Sequence, residues 1–155
     1  RALTDQPILV ADLDPSKREA ALKLGAKEAF DPADAGARKA IGKASGGGVG
    51  AAVDFAGSDK SLGFAQATVA KGGAAIVVGL FGGSFTLPVP MFPLRALTIM
   101  GSYVGSTTEA AEMIALVKAG KIAAIPVEKR PLDQTSKSLD DLREGKIVGR
   151  VVITP

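Results

Sequence analysis

The sequence predicts a doubly wound α/β fold, in which helices cover both faces of a parallel sheet. Short apolar runs alternate with stretches of helical character, and the links between them are brief. The apolar runs, of which "AAIVVGL" at 74–80 is the clearest, are nearly continuous, as strands are when both faces of a sheet are covered. With 155 residues, of which 46% are apolar, the chain can bury a core.

The N-terminal segment predicts a strand, a helix and a second strand. Residues 7–13 contain the first apolar run. Asp14 is a typical helix N-cap and is followed by proline, which suits the first helical position. The helix at 15–24 is expected to end at Gly25, and a short strand is expected near 28–30.

The same alternation continues through the middle of the chain. The expected elements are a helix at 35–45, a strand at 49–56, a helix at 59–71 and a strand at 74–80. Residues 46–51 match the phosphate-binding pattern G-x-G-x-x-A. That pattern requires a strand before it and a helix after it, and here the order is reversed, so we interpret the segment as a connection. Asp54 lies in an apolar strand, and we expect it to bond a backbone or helix-end group.

The last part of the chain predicts a loop, a strand, a helix and a terminal strand–helix–strand unit. Three prolines between 88 and 93 favour an edge or a loop, and "ALTIMGSYVG" at 96–105 favours a strand. Ser106 begins a capping box, which opens an amphipathic helix that we expect to end at Gly120. A polar helix is expected at 134–145, between the two strands of the tail.

The composition excludes several classes of chemistry. The chain contains no Cys and no His, which excludes thiolate nucleophiles, imidazole bases and the usual zinc ligands. We expect no metal site, because no carboxylates cluster with ligand spacing. The net charge of +3 is scattered, which argues against nucleic acid, and no apolar stretch is long enough to span a membrane. We expect a cytoplasmic protein.

Five segments, in order and spacing, resemble the zinc-containing alcohol dehydrogenases of the medium-chain dehydrogenase/reductase superfamily. They are "VADLDPSKREAALKLGAKEAFDP", "AAVDFAGS", "GGAAIVVGL", "LTIMGSYVGS" and "LREGKIVGRVVI". The resemblance implies that residues 1–122 are an NAD(P)-binding Rossmann domain from its second strand onward. It implies that residues 123–155 return to the catalytic domain. The first strand, with its G-x-G-x-x-G loop, is absent, so we expect a C-terminal fragment that is not catalytic by itself.

The resemblance also implies cofactor-binding positions. Asp12 matches the acid that holds the adenosine ribose hydroxyls, Lys17 a lysine near the same ribose, and Arg150 an arginine at the pyrophosphate. The other matches line the cofactor at three strand ends and are Phe55, Ala56 and Gly57, then Val78, Gly79 and Leu80, then Met100, Gly101 and Ser102. Because the charge of Asp12 would repel a 2′-phosphate, NAD is favoured over NADP. In this family zinc is held by residues upstream of this chain, so none is expected here.

The implied function is an NAD-dependent alcohol dehydrogenase, of which this chain is the cofactor-binding part. The full-length protein would pass hydride between a small alcohol or aldehyde and NAD. One alternative is a zinc-free, quinone-oxidoreductase-like reductase that uses NADPH, against which Asp12 argues. Another is a nucleotide-binding or dimerisation module without chemistry. A flavodoxin-like or methyltransferase relative would explain the strand–Asp pattern but not "GKIVGRVVI".

Two structural expectations follow from the resemblance. The absent first strand normally lies between the second and fourth strands, so we expect a gap between the strands at 7–13 and 49–56. Because such a gap leaves backbone groups unpaired, we expect that the chain does not fold alone as a monomer in the family's arrangement. The apolar segment 85–103 matches a strand that pairs with its twin, and we expect a homodimer through that edge.

Overall fold

The computed structural model describes residues 2–123 and 125–155. They divide into two compact units, Leu3–Gly105 and Ser106–Pro155. Parallel strands joined by helices form both units, which confirms the predicted α/β class. Within the described residues no helix is both long and apolar enough to cross a membrane.

In the N-terminal unit, strands and helices alternate in the predicted order. The strands are β1 Leu9–Ala11, β2 Glu28–Phe30, β3 Val49–Asp54, β4 Val69–Val77 and β5 Thr98–Gly101. The helices are α1 Pro15–Lys23, α2 Ala37–Ser45, α3 Asp59–Thr68 and α4 Met91–Arg95.

The strands of this unit form two separate parallel sheets. One is the pair β1–β2, in which Val10 is aligned with Ala29. The other has the order β3–β4–β5, with Ala75 of the central strand aligned with Ala52 on one side and Ile99 on the other. Among the described residues no ladder joins β1 to β3, so the expected gap between these two strands is confirmed.

The core of the N-terminal unit lies around the central strand β4. Ala75 is completely buried, and Val69 and Leu97 are 3% and 7% exposed. Partly buried side chains from the neighbouring strands, α3 and the loop before α4 pack against these three residues, and they are Val49, Ala52, Leu62, Leu87 and Ile99. The small side chain of Ala75 lets the elements approach closely at the centre of the sheet.

Two predicted helix starts are confirmed by their caps. The Asp14 carboxylate accepts hydrogen bonds from the Ser16 backbone N–H and hydroxyl, at 2.8 and 2.7 Å, and α1 begins with Pro15. Both bonds hold the pKa of Asp14 below its usual value, and the bond from the Ser16 hydroxyl has the larger effect. In the C-terminal unit Ser106 accepts from the Glu109 N–H at 3.2 Å, and the Glu109 carboxylate accepts from the Ser106 N–H at 2.6 Å. This capping box is the one that the sequence predicts.

The predicted end of the third helix is wrong. The sequence places the stop at the glycines after residue 71, whereas α3 ends at Thr68 and β4 begins at once with Val69. The Thr68 hydroxyl bonds back to the Ala65 carbonyl at 2.8 Å, and Arg95 donates to the carbonyl of Val69. These bonds satisfy carbonyl groups at the helix end, so the chain can leave the helix without glycine. The helix α4, which contains Arg95, is absent from the sequence prediction.

The C-terminal unit contains the predicted strand–helix–strand tail. Its elements are α5 Thr107–Lys118, β6 Val127–Pro131, a 3₁₀ turn at Leu132–Gln134, α6 Thr135–Arg143 and β7 Arg150–Thr154. Strands β6 and β7 are parallel. The apolar face predicted for α5 is exposed, with Met113 and Ile114 about half accessible at 54% and 49%.

Candidate cofactor-binding site

The loops that follow β3 and β4 touch through their backbones. A Cβ atom placed on Gly57 would lie 1.9 Å from the carbonyl oxygen of Gly79, and one placed on Gly79 would lie 2.1 Å from the carbonyl carbon of Ala56. Gly57 also has a φ of +71°, which glycine adopts more readily than any other residue. Both positions therefore require glycine, and sequence reasoning could not foresee the contact between them.

Backbone hydrogen bonds join the same two loops. The N–H groups of Val78 and Gly79 both donate to the Asp54 carbonyl, at 2.9 and 3.0 Å. Further along, the Gly82 N–H donates to the Gly57 carbonyl at 3.0 Å. The structure thus brings together two of the predicted cofactor segments, 55–57 and 78–80, at the carboxyl ends of neighbouring strands.

The carboxylate of Asp54 holds the first of these loops. Asp54 is 6% exposed, and its Oδ1 accepts from the N–H groups of Ala56 and Gly57, both at 3.0 Å. Its Oδ2 accepts from the Ser61 hydroxyl at 2.9 Å. Ser61 and the N-cap residue Ser58 form the capping box of α3. The expectation that Asp54 bonds backbone and helix-end groups is confirmed.

The third predicted segment lies beside the second. Gly101 of β5 is aligned with Val77, and the Ser102 N–H donates to the Val77 carbonyl at 2.9 Å. Met100 is 49% exposed at this end of the strand. A cavity of about 330 Å³ opens next to the loops, and its lining includes Gly57, Gly79, Leu80, Leu62 and Phe85. Parallel α/β sheets bind their ligands at this edge.

The predicted ribose acid lies at the end of β1. Oδ1 of Asp12 accepts from the Asp14 N–H at 2.9 Å, which fixes the orientation of the carboxylate. Its second oxygen has no hydrogen bond from the described residues, and the carboxylate has no ion pair with them. Lys17 is exposed on the first turns of α1, and the described part of the chain offers it no ion-pair partner. No hydrogen bond between described residues connects this end of β1 to the loops after β3 and β4.

Sequence reasoning missed Arg18, which contacts the end of β1 beside Asp12. Arg18 donates from Nη1 to the carbonyl oxygens of Asp12 and Leu13, and it lies 3.4 Å from a carboxylate oxygen of Asp31. The only available signal was spacing, because an arginine six residues after the acid lies on the following helix and can reach back to the strand end. A basic residue at that position is also common on solvated helix faces.

Arg150 belongs to the C-terminal unit, where it begins β7. Its side chain is exposed and donates from Nη1 to the Gly149 carbonyl at 3.0 Å. A cavity of about 340 Å³ within this unit is lined by Arg150 and by residues of α6 and β7, including Leu139, Leu142 and Val151. The guanidinium keeps most of its donors free for a bidentate partner such as a phosphate.

The residues of this chain do not fit a zinc ion. There is no Cys and no His in the 155 residues. Nor do three or more acidic side chains converge as a metal site anywhere in the described ranges. Zinc sites in proteins are built mainly from thiolate and imidazole, with carboxylate as a minor ligand.

Comparison with known proteins identifies the family. A sequence profile described as zinc-binding dehydrogenase matches residues 6–119. An NAD-dependent alcohol dehydrogenase of Sulfurisphaera tokodaii is 29% identical across all of this chain and 45% of its own length. A D-arabinose 1-dehydrogenase (NADP(+)) of Saccharolobus solfataricus is 32% identical across 89% of this chain and 39% of its own length.

A solved structure agrees with these sequences. The alcohol dehydrogenase of the archaeon Aeropyrum pernix matches 98% of this chain with a TM-score of 0.89 and 28% identity, and the match covers 44% of that chain. The chain thus spans less than half the length of the relatives it matches. With the profile covering most of its residues and the fold matched nearly from end to end, this chain belongs to the zinc-binding dehydrogenase family.

Proposed function

We propose that this chain is the cofactor-binding part of an NAD-dependent alcohol dehydrogenase, which in full length passes hydride between a small alcohol or aldehyde and NAD. One observation carries the proposal. The Asp12 carboxylate stands at the carboxyl end of β1 with one oxygen fixed by the Asp14 N–H and the other without a partner among the described residues. An ionised carboxylate so placed can accept hydrogen bonds from both hydroxyls of a ribose.

The other residues of the site have supporting roles in this proposal. Lys17 lies near the ribose, and the guanidinium of Arg150 pairs with the pyrophosphate. Three segments at the strand ends line the rest of the cofactor, mainly with backbone groups. Their residues are Phe55, Ala56 and Gly57, then Val78, Gly79 and Leu80, then Met100, Gly101 and Ser102. Residues 123–155 return toward the catalytic domain. NAD supplies the hydride chemistry, and these residues bind and orient it.

The same carboxylate supports NAD over NADP. A 2′-phosphate would place a second negative charge where the ribose hydroxyl meets Asp12, and like charges at hydrogen-bond distance repel. Relatives of this chain include enzymes named for either cofactor. Membership of the family therefore does not decide between NAD and NADP, and the preference has to be tested at Asp12.

We also propose that the full-length protein is a homodimer through the segment 85–103. Within the described residues β5 pairs only with β4, so its other edge is open. Large side chains of the same segment are exposed, with Val89 77%, Leu94 67% and Tyr103 74% accessible. An open edge together with exposed apolar side chains favours pairing with a second copy.

Calorimetric titration of the full-length protein with NADH and NADPH tests the cofactor proposal. Asp12→Ala is expected to weaken NADH binding roughly 10- to 100-fold, since a hydrogen bond to a charged group contributes about 1.5–3 kcal/mol. It should also reduce the preference for NADH over NADPH. Arg150→Ala should weaken both cofactors to a similar extent, because both carry the pyrophosphate.

Two exposed residues supply matched controls. Glu112→Ala removes a carboxylate from α5, and Arg38→Ala removes a guanidinium from α2, and neither residue belongs to the proposed site. Both variants should bind NADH like the unchanged protein. Unchanged NADH affinity in Asp12→Ala and Arg150→Ala would remove both assignments.

A further inference from the structure

Arg18 connects the carboxyl ends of β1 and β2. Its Nη1 donates to the Asp12 carbonyl at 2.6 Å and to the Leu13 carbonyl at 2.9 Å, just after β1. The same nitrogen lies 3.4 Å from Oδ2 of Asp31, which follows β2. The side chains of Arg18 and Asp31 are 21% and 39% exposed, so the pair is partly buried at the surface.

Asp31 is held in place for this contact. Its Oδ1 accepts from the Ala33 N–H at 2.9 Å, which leaves Oδ2 to face Arg18. Asp12, although nearer in sequence, has no ion pair with Arg18. The positive charge beside the proposed ribose acid is therefore bound to the other strand end.

This arrangement bears on the choice between NAD and NADP. A nearby arginine is the residue that accommodates a 2′-phosphate in dinucleotide sites, because its planar donors match phosphate oxygens. Arg18 is close enough to bond the backbone of Asp12, yet its Nη1 is held by two carbonyl oxygens and lies against Asp31. A phosphate that takes Nη1 as one of its two donors would have to displace Asp31.

We propose that Asp31 is a specificity-determining residue, which favours NAD by keeping the guanidinium of Arg18 paired with the end of β2. The inference rests on the proposed function and extends it: Asp12 repels the 2′-phosphate, and Asp31 withholds the arginine that would otherwise neutralise it. Asp31 itself need not touch the cofactor.

The test is the ratio of the dissociation constants of NADPH and NADH, measured by calorimetry on the full-length protein. Asp31→Asn keeps the oxygen that accepts from Ala33 and removes the charge that faces Arg18. We expect the ratio to fall about twofold to fivefold, because an ion pair at the surface contributes little. The fall should come mainly from tighter NADPH binding.

Asp34→Asn is the matched control. Asp34 lies three residues away and its Oδ1 accepts from the Gly36 N–H at 2.7 Å, a bond that asparagine can keep. The variant removes the same charge from the same turn, but Asp34 has no ion pair with Arg18. It should leave the ratio unchanged, whereas an equal fall in both variants would indicate a general charge effect and overturn the inference.

A double variant tests whether Arg18 carries the effect. Arg18→Met in the Asp31→Asn background should restore the original ratio, since no guanidinium is then available to a phosphate. An unchanged ratio in Asp31→Asn, with NADH binding dependent on Asp12, would overturn this inference and leave the proposed function intact. Absence of NADH binding by the unchanged protein would overturn the proposed function and the inference with it.

Discussion

Gly57 and Gly79 lie so close that a Cβ atom on the first would overlap the carbonyl oxygen of the second, at 1.9 Å. This contact fixes the separation of the two loops that follow β3 and β4. The loops carry six of the proposed cofactor-binding residues, so their separation sets the shape of that part of the site.

Gly79→Ala is expected to destabilise the protein and to weaken NADH binding. Gly79 has no positive φ, so alanine meets only a steric obstacle, the backbone of Ala56 at 2.1 Å. Because overpacking against backbone cannot be relieved by a rotamer change, we expect a loss of about 3 kcal/mol in the free energy of unfolding, measured in urea. Gly50→Ala, where a Cβ would meet nothing within 4 Å, is the control and should change stability little.

Asp54→Ala is expected to cost about 1–3 kcal/mol in the free energy of unfolding, because it leaves partly buried donors without an acceptor. The affected donors are the N–H groups of Ala56 and Gly57 and the Ser61 hydroxyl. Asp54→Asn keeps an oxygen for the two N–H groups and should cost clearly less. Equal losses in the two variants, measured by urea unfolding, would contradict this account.

Val89→Asp should weaken the proposed dimer. The change puts a charge on an exposed apolar side chain of the segment 85–103, and burial of that charge between two copies would be unfavourable. Analytical ultracentrifugation across a concentration series should show dissociation at higher protein concentration than for the unchanged protein. Leu24→Asp alters a side chain of similar exposure, 70% against 77%, at the end of α1 and should leave the association unchanged.

The C-terminal unit should lose stability in acid through Asp141. Lys137, at 2.6 Å, and Arg130, at 2.7 Å, donate to its carboxylate and hold the pKa of Asp141 below its usual value. The hydrogen bond to Glu128 first, and the one to Asp141 second, raise the pKa of Arg130 above its usual value. A carboxylate whose pKa is lower in the folded state contributes its full stabilisation at pH values above its pKa in the unfolded state. This contribution disappears as the pH falls through its pKa in the folded state.

Urea unfolding between about pH 6 and pH 2 measures this contribution. Asp141→Asn should be less stable than the unchanged protein at the higher pH, and the difference in stability should shrink as the pH is lowered. Asp140→Asn removes a neighbouring carboxylate that pairs with Arg143 at the exposed surface, and its effect should be small throughout. A difference at Asp141 that does not change with pH would indicate a packing effect and not an ionic one.

The features that the sequence predicted correctly are governed by local rules. Asp14 and Ser106 cap helices because the side chain of an N-cap reaches the N–H groups of the next turn, which is visible in a stretch of four residues. Asp54 was predictable because a charged residue in an apolar strand needs partners, and the nearest donors are at the end of that strand.

The features that the sequence did not predict depend on contacts between distant residues. The end of α3 at Thr68 is held by Arg95, which lies 27 residues later in the numbering of this chain. The contact between Gly57 and Gly79 and the pairing of Arg18 with Asp31 likewise join different strand ends. No local pattern of glycine or charge states which distant partner a residue will meet.

The separation of the β1–β2 pair from β3–β4–β5 has a consequence for how the N-terminal unit opens. Since no backbone ladder between described residues joins the two sheets, the smaller pair can lose its structure while the larger sheet keeps its own. Amide protons of β1, such as that of Val10, would then exchange with solvent by a local opening, and those around Ala75 only by opening of the larger sheet. The pair that carries the proposed ribose acid, Asp12, thus has less cooperative support than the larger sheet, and a cofactor bound at Asp12 would protect it.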